Sequence, residues 1–428
     1  MYEAAQSLLR HYLEYLSSPA PHIKALFTYP VKSCRGIELA ASEVEPWGLK
    51  YDRSFTFAEL RPQSTGDSAE GTDDREWRFI TQREYPRLAL IETELWVPDP
   101  RAVKTSKKTE KKNARNASRR SPLSQEISAD DALDVDKKTD VASHGGYLII
   151  RFPLKPSLIP FSFRPNAVSL NIPLVPSQEH GAEKNYHLEP ISIWVDRIQS
   201  INITGEIPAD TLSKLQEFLG VRNTLGLFRV DSLHRRDISR SLPKDRPGES
   251  YSVGFGDAFP LHLMSMASVY AQDANLPAKA AMKGRLDARR FRANIYVDGV
   301  PEYDEDDWKK IHVGRGIQPK THAKVKGGAA KGKTISHGDQ TYVETEGEYH
   351  VACRTARCKM PNVDQESGVK DTNEPLTTMR RTRQVDEGAN PHPCLGMQMI
   401  PLFQQGILRV GDEVKVVERG EHYYEKML

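Results

Sequence analysis

Apolar and polar residues alternate along most of this chain in short runs, and the usual period is that of a β-strand. HIKALFTYPV at 22–31, SFTFAEL at 54–60, WRFITQ at 77–82 and LALIETELWV at 88–97 are rich in β-branched and aromatic residues, punctuated by Pro and Gly. ISIWVDRIQSINIT at 191–204 continues the pattern. FRANIYVDG at 291–299, YHVACRTARCKM at 349–360 and ILRVGDEVKVVE at 407–418 follow, the last as a half-buried strand after a Gly-Asp turn. Many short strands with few helices favour β-barrels over a doubly wound sheet. No glycine-rich phosphate loop follows any strand, so a nucleotide fold gains no support.

The helical period is rarer. Residues 209–219 place Leu212, Leu215, Phe218 and Leu219 on one face, and Gly220 stands where a helix would end. A second short helix is expected in SMASVYAQDA, with Ser265 as its N-cap. At the start of the chain, Leu8, Leu9, Tyr12, Leu13 and Leu16 form one helical stripe over residues 1–20. Glu3 and Glu14 against Arg10 favour a packing or docking helix over an Arg-rich targeting segment.

Two stretches break the pattern. Residues 99–146 hold KTSKKTEKKNARNASRR and an acidic half, and residues 314–346 hold KVKGGAAKGK. Charges this dense and so few aromatics predict disordered surface insertions. The breaks divide the chain into an N-terminal helix at 1–20, a first domain at 21–235 and a second at 240–422. The fold expected is mainly β with some α.

Composition removes several functions. The formal net charge of +2 is too small to argue for nucleic acid as partner. No run of 18 apolar residues exists, so no membrane span is expected. The four cysteines, Cys34, Cys353, Cys358 and Cys394, are too few for a disulfide scaffold, which points to an intracellular protein, cytoplasmic or mitochondrial, not secreted. They also lack the tight pattern of an iron–sulfur site. The thirteen histidines show no zinc-hydrolase spacing, and no G-x-S-x-G elbow occurs. The acidic residues at 304–307, 364 and 366 read as turns before they read as catalytic carboxylates.

Four constellations remain: YPVKSCRGIEL with Asp52 and Arg53 downstream, then FITQREYPRLALI; GDAFPLHLMSMAS; RRFRANIYVDG; and ARCKMPNVDQESG, EPLTTMRRTRQ and ILRVGDEV. In this order the series resembles the MOSC superfamily, a MOSC N-terminal β-barrel domain followed by a MOSC domain, as in amidoxime-reducing components and the C-terminal part of molybdenum cofactor sulfurases. The resemblance covers nearly the whole chain apart from the N-terminal stretch and the two insertions.

The resemblance implies two β-barrel-like domains, a molybdenum–molybdopterin cofactor and Cys358 as the metal's only protein ligand. A soft thiolate suits high-valent molybdenum, and Arg357 beside it favours the thiolate. Cys353, five residues earlier, points to the opposite face of the same strand and forms no pair with it. Lys32, Ser33, Arg53 and Arg292 align with residues that hold the pterin, where Arg offers a fork for phosphate and Lys a point charge. Asn294 either joins that set or closes the FRAN strand as a turn residue. Ala356, Ala258, Phe259 and Gln398 replace hydroxyl-bearing or tyrosine residues of the family, which puts the polar contacts in question but leaves the ligand.

The activity implied is reduction of small N-oxygenated substrates of the amidoxime type, with cytochrome b5 and NADH-cytochrome b5 reductase as electron donors, since the chain has no haem, flavin or cluster motif. A cofactor carrier or sulfur-handling protein without turnover is the alternative, although the pyridoxal-phosphate domain of the sulfurases has no room here. A scaffold that has lost the cofactor would leave Lys32, Arg53, Arg292 and Cys358 without a reason.

Overall fold

The computed structural model describes residues 20–62, 75–97, 145–154, 167–314 and 347–426, with the backbone of 334–336 and 341–343. The helix expected at 1–20 and most of both charged insertions lie outside these residues. Within the second insertion, Thr334–Ser336 pairs antiparallel with Thr341–Val343.

The expected β-rich architecture is present as two barrels. In the first, strands His187–Ile193, Asp196–Asn202, Leu225–Val230, Phe55–Pro62 and Arg75–Phe79 close in that order. Phe55, Phe57, Leu225 and Leu227 pack against Leu148, Ile150 and Phe152 of an adjoining three-stranded sheet. Helix Ala209–Leu219 covers this core with Leu215 and Leu219, and ends at Gly220 in the left-handed conformation (φ 78°), where the expected stop signal stands.

The second barrel is a ring of seven strands. Ile295–Asp298 runs parallel to Leu261–Ser265, followed by Cys394–Pro401, Gly347–Ala356, Trp308–Gly314 and Glu413–Arg419. His22–Thr28, the earliest strand among the described residues, completes it, pairing with Ile295–Asp298 on one side and at His22 with Glu413 on the other. Trp308, Tyr349, Met397 and Met399 fill its interior.

Two local expectations change. The first three residues of the LALIETELWV run belong to a 3-10 turn, Pro86–Leu90, because Pro86 opens it and Leu88 and Ala89 turn inward; of the run only Glu92–Trp96 is strand. Ser265 does precede helix Met266–Asn275, but its hydroxyl makes no cap. Glu305 serves that end instead, accepting from Ser265 N (3.1 Å) and Ser268 Oγ (2.8 Å). Helices Gln178–Glu183 and Leu376–Thr382 went unanticipated, each too short for a periodic signal.

Candidate functional site

The site begins where the chain leaves the second barrel for the first. After His22–Thr28 the backbone is stitched to the first barrel: Lys32 N donates to Phe55 O (2.8 Å), and Gln82 Nε2 of the first barrel donates to Ser33 O (2.7 Å). Ser33 is held there at φ 66°. Arg53 (φ 48°) and Arg292 (φ 55°) are likewise in the left-handed region, a conformation that non-glycine residues keep only where surrounding contacts enforce it.

All seven residues singled out in the sequence, Lys32, Ser33, Arg53, Arg292, Asn294, Arg357 and Cys358, line one cleft of about 710 Å³. Four chain segments far apart in sequence converge on it. Asp257, His262, Arg290, Thr355 and Gln398 also line it.

The aromatic ring of Tyr29 is the platform for two cations. The Arg292 guanidinium lies 4.2 Å from its centroid and that of Arg53 4.9 Å. Tyr29 is buried and its hydroxyl donates to Ala293 O (3.2 Å). Burial pushes that hydroxyl up to about 12, so it stays protonated beside both arginines. Gly36 is required under this ring, since a Cβ there would stand 2.5 Å from Tyr29 Cε1.

The cations differ in what they leave free. Arg53 donates to Asp52, to Asn294 Oδ1 (3.2 Å) and to Arg292 O (3.1 Å). Arg292 donates through Nη1 to Cys34 O (2.7 Å), while its Nη2, buried, has no partner. Ser33 Oγ and Arg290 Nε are buried without partners as well. Lys32 donates to Phe255 O (2.8 Å) and Asp257 Oδ1 (2.6 Å). Burial lowers the Lys32 ammonium to about 8, with Asp257 opposing the shift. For Asp257, loss of water alone would raise the carboxyl, but Lys32, Arg83 and Arg53 outweigh this and hold it well below the usual range.

Asn294 and Arg357 line the cleft but spend their polar atoms on protein partners. Asn294 sits in a bend immediately before strand Ile295–Asp298, fully buried, with Oδ1 accepting from Arg53 and His262 N (3.1 Å) and Nδ2 donating to Phe27 O (3.1 Å). Its amide positions Arg53. Each Arg357 nitrogen already donates to protein: Nε to Leu395 O (2.8 Å), Nη1 to Phe291 O (3.2 Å) and Nη2 to His262 Nε2 (2.7 Å). Burial, with Arg357 and Arg53 next, keeps His262 well below its ordinary pKa and therefore a neutral acceptor. Arg357 thus acts on the cleft through its charge.

Cys358 follows the end of strand Gly347–Ala356 and is partly exposed to the cleft, whereas Cys34, Cys353 and Cys394 are buried. Burial pushes the Cys394 thiol up to about 12 and the other two upward also. Of the four, only Cys358 can meet a ligand. Sequence reasoning missed Tyr29, Asp257, His262 and Arg290 as site residues; each lies inside a quoted motif, but pairing and burial are what define its part.

Among the described residues no group of His, Cys, Asp and Glu could hold a metal ion by itself. No helix among them is long and apolar enough to cross a membrane.

The model of the MOSC N-terminal beta barrel domain matches residues 20–143, and that of the MOSC domain matches residues 250–415. The chain is 24% identical to the Mus musculus protein named mitochondrial amidoxime-reducing component 1 over 396 residues, 92% of this chain and 81% of that protein. It is 27% identical to the Rattus norvegicus mitochondrial amidoxime reducing component 2 over 195 residues, 44% of this chain but only 46% of that protein. The molybdenum cofactor sulfurase of Oryza sativa subsp. japonica matches at 22% identity over 373 residues, 85% of this chain and 31% of that protein. With both domain models in order along a chain of two β-barrels, this protein belongs to the MOSC-domain superfamily.

Proposed function

We propose that this protein is a molybdenum-cofactor oxidoreductase that reduces small N-oxygenated substrates of the amidoxime type. The observation that carries the reading is one accessible thiol, Cys358, facing a cleft walled by buried cations, where Arg292 Nη2 and Ser33 Oγ are left without protein partners. The donor set suits an anionic, hydrogen-bonding pterin: Ser33 Oγ and Arg292 Nη2 are each buried without a partner, and burying such groups unsatisfied costs about 1–3 kcal/mol apiece. Cys358 would be the metal's protein ligand, and Lys32, Ser33 and Arg292 would hold the pterin and its phosphate.

When bound, the cofactor supplies two-electron oxygen-transfer chemistry at its metal. The chain's own residues do the rest. Tyr29, Asp52 and Asn294 fix the directions of Arg53 and Arg292, so that positive charge is in place before any ligand arrives. Arg357, locked by Leu395 and Phe291, adds a fixed positive charge behind Cys358. Electrons would come from outside, through cytochrome b5 and NADH-cytochrome b5 reductase. The names of the mouse and rat relatives support a mitochondrial setting, with the cytoplasm as the other.

The rice match favours a second reading, a cofactor carrier or sulfur-handling protein without turnover. Purification with molybdenum analysis, then benzamidoxime reduction with the cytochrome b5 chain reconstituted, separates them. Metal-replete protein that never reduces benzamidoxime supports the carrier; protein that takes up no molybdenum sinks both.

A further inference from the structure

Two of the quoted motifs carry a glutamine that the site does not use, Gln82 in FITQ and Gln365 in PNVDQESG. The fold brings them together although they stand 283 positions apart. Both are buried, at 0% and 4% exposure. Gln365 Nε2 donates to Gln82 Oε1 (3.0 Å), and Gln82 Nε2 donates back to Gln365 Oε1 (3.3 Å). Each amide nitrogen also serves a backbone carbonyl: Gln82 donates to Ser33 O (2.7 Å) and Gln365 to Val363 O (3.1 Å). The carbonyls at the two ends fix which way each amide faces, so the pair has one arrangement.

This chain of contacts runs from one wall of the cleft to the other. Ser33, held at φ 66°, lines the cleft beside Lys32. Val363 follows the 3-10 turn Met360–Asn362, which comes directly after Cys358 and Lys359; Met360 and Pro361 of that turn line the cleft as well. Beyond Val363 the chain is tightly tied. Val363 bridges to Lys370, and Asp364 Oδ1 accepts from the backbone N–H groups of Glu366 (3.1 Å) and Ser367 (2.8 Å). A displacement of Gln365 is therefore passed back to Cys358.

Other ties cross the same gap. Glu366, with its side chain 59% exposed, pairs with Arg35 (3.2 Å) and Arg289 (2.8 Å). Exposed ion pairs contribute little, because water and salt screen them. Arg35 Nη2 also donates to Gln365 O (2.9 Å), and Lys370 Nζ to Arg83 O (2.7 Å), both at partly buried positions. Of these ties the amide pair is the one shut off from water with its geometry set at both ends, and such a satisfied network is what makes a junction rigid.

We propose that Gln82 and Gln365 are positioning residues, which together set the span between the Ser33 wall of the cleft and the Cys358 thiol. Neither lines the cleft, so they act through Ser33 and Val363. The inference rests on the molybdenum reading for what the span must fit, but its effect on the thiol does not. A ligand that meets both walls at once gains from a span fixed in advance, since less ordering is left to its binding.

Alkylation of full-length, cofactor-free protein by iodoacetamide, with each cysteine followed by peptide mass spectrometry, tests the span without turnover. Cys358 is partly exposed, and the buried Cys34, Cys353 and Cys394 report any general loosening. Gln365→Met keeps the length of the side chain and removes its hydrogen bonds. It should quicken Cys358 by about threefold to tenfold, the range that one lost hydrogen bond covers, and leave the other three thiols unchanged. Glu366→Gln should leave the Cys358 rate where it was. Should Gln365→Met not fold, Gln365→Asn, with its amide one methylene short of Gln82, is held to the same outcomes. In protein purified with molybdenum, the amide variant should retain less metal than wild type by about threefold or more.

The inference is overturned if the Cys358 rate does not change, if all four thiols quicken together, or if Glu366→Gln quickens Cys358 as much. A quickened variant that keeps its molybdenum in full overturns it too. Wild-type protein that takes up no molybdenum, beside a Cys358 that quickens as described, refutes the reductase reading alone.

Discussion

Replacing Gly396 by alanine should damage the second barrel far more than the same change at Gly411, although both glycines have positive φ. Gly396 sits in strand Cys394–Pro401 at φ 76°, and a Cβ there would lie 2.7 Å from His262 Nε2, 2.7 Å from Leu263 O and 3.3 Å from Arg357 Nη2. Gly411, at φ 89° in the turn before strand Glu413–Arg419, has nothing within 4 Å of its Cβ position. Left-handed backbone costs an alanine roughly 1–2 kcal/mol at either place. Reduced freedom of the unfolded chain returns about 0.4–1 kcal/mol of that. Gly411→Ala should therefore lose about 1.6 kcal/mol or less. Gly396→Ala carries in addition an overpacking term of about 1–3 kcal/mol, because one close neighbour is backbone and cannot step aside. Its loss should be about 2–4 kcal/mol. Urea unfolding of the two variants beside the wild type, with midpoints and slopes compared, measures the difference. Equal losses would refute the claim that this glycine is required by the His262–Arg357 contact behind Cys358.

Cys358→Ala should unfold within about 0.5 kcal/mol of wild type, since the thiol is partly exposed, yet purify without molybdenum; retained metal would remove Cys358 as the ligand. Tyr29→Leu should lose about 1–2 kcal/mol from each guanidinium contact and about 1 kcal/mol from the hydroxyl's bond, and should lower molybdenum retention as the two arginines lose their shared platform. Normal metal content in a folded variant would contradict that. Glu305 is fully buried, and burial raises its carboxyl to about 7 against the hydrogen bonds that favour its charge. A raised carboxyl contributes stability that is complete below its unfolded value, near 4.3, and declines as pH rises toward 7. Relative to Glu305→Gln, wild type should therefore weaken between pH 5 and 8, and the opposite slope in urea midpoints would exclude this role.

Much of the site was legible because its residues sit in short motifs at fixed local spacing. Lys32 with Ser33, Arg292 with Asn294, and Arg357 with Cys358 are neighbours in sequence before they are neighbours in space. What could not be read was how each side chain is occupied. Nothing in RRFRAN distinguishes Arg292, which lies on Tyr29 and donates to Cys34 O, from Arg290, which reaches Asp364. Nor does A-R-C reveal that Arg357 spends its nitrogens on Leu395, Phe291 and His262 while Cys358 stays open to the cleft. In the fold, strand period found the barrel walls and Gly220 found the end of its helix. The 3-10 turn at 86–90 was hidden because three apolar residues in five suit either form. The pairing of residue 22 with residue 413 has no local sign at all.

That pairing governs how the molecule must be made. On a ribosome adding roughly 5–20 residues per second, His22 waits on the order of 20–80 s before Glu413 exists. Throughout that interval the segment 22–28 lacks one barrel neighbour, and until Ile295–Asp298 is made it has only Ile37–Leu39 beside it, its other edge exposed to other nascent chains. A fragment starting near residue 240 would carry the converse defect, a cylinder with one stave missing. Expression of the C-terminal half alone should therefore give aggregates, and adding the 22–28 peptide in trans should restore solubility.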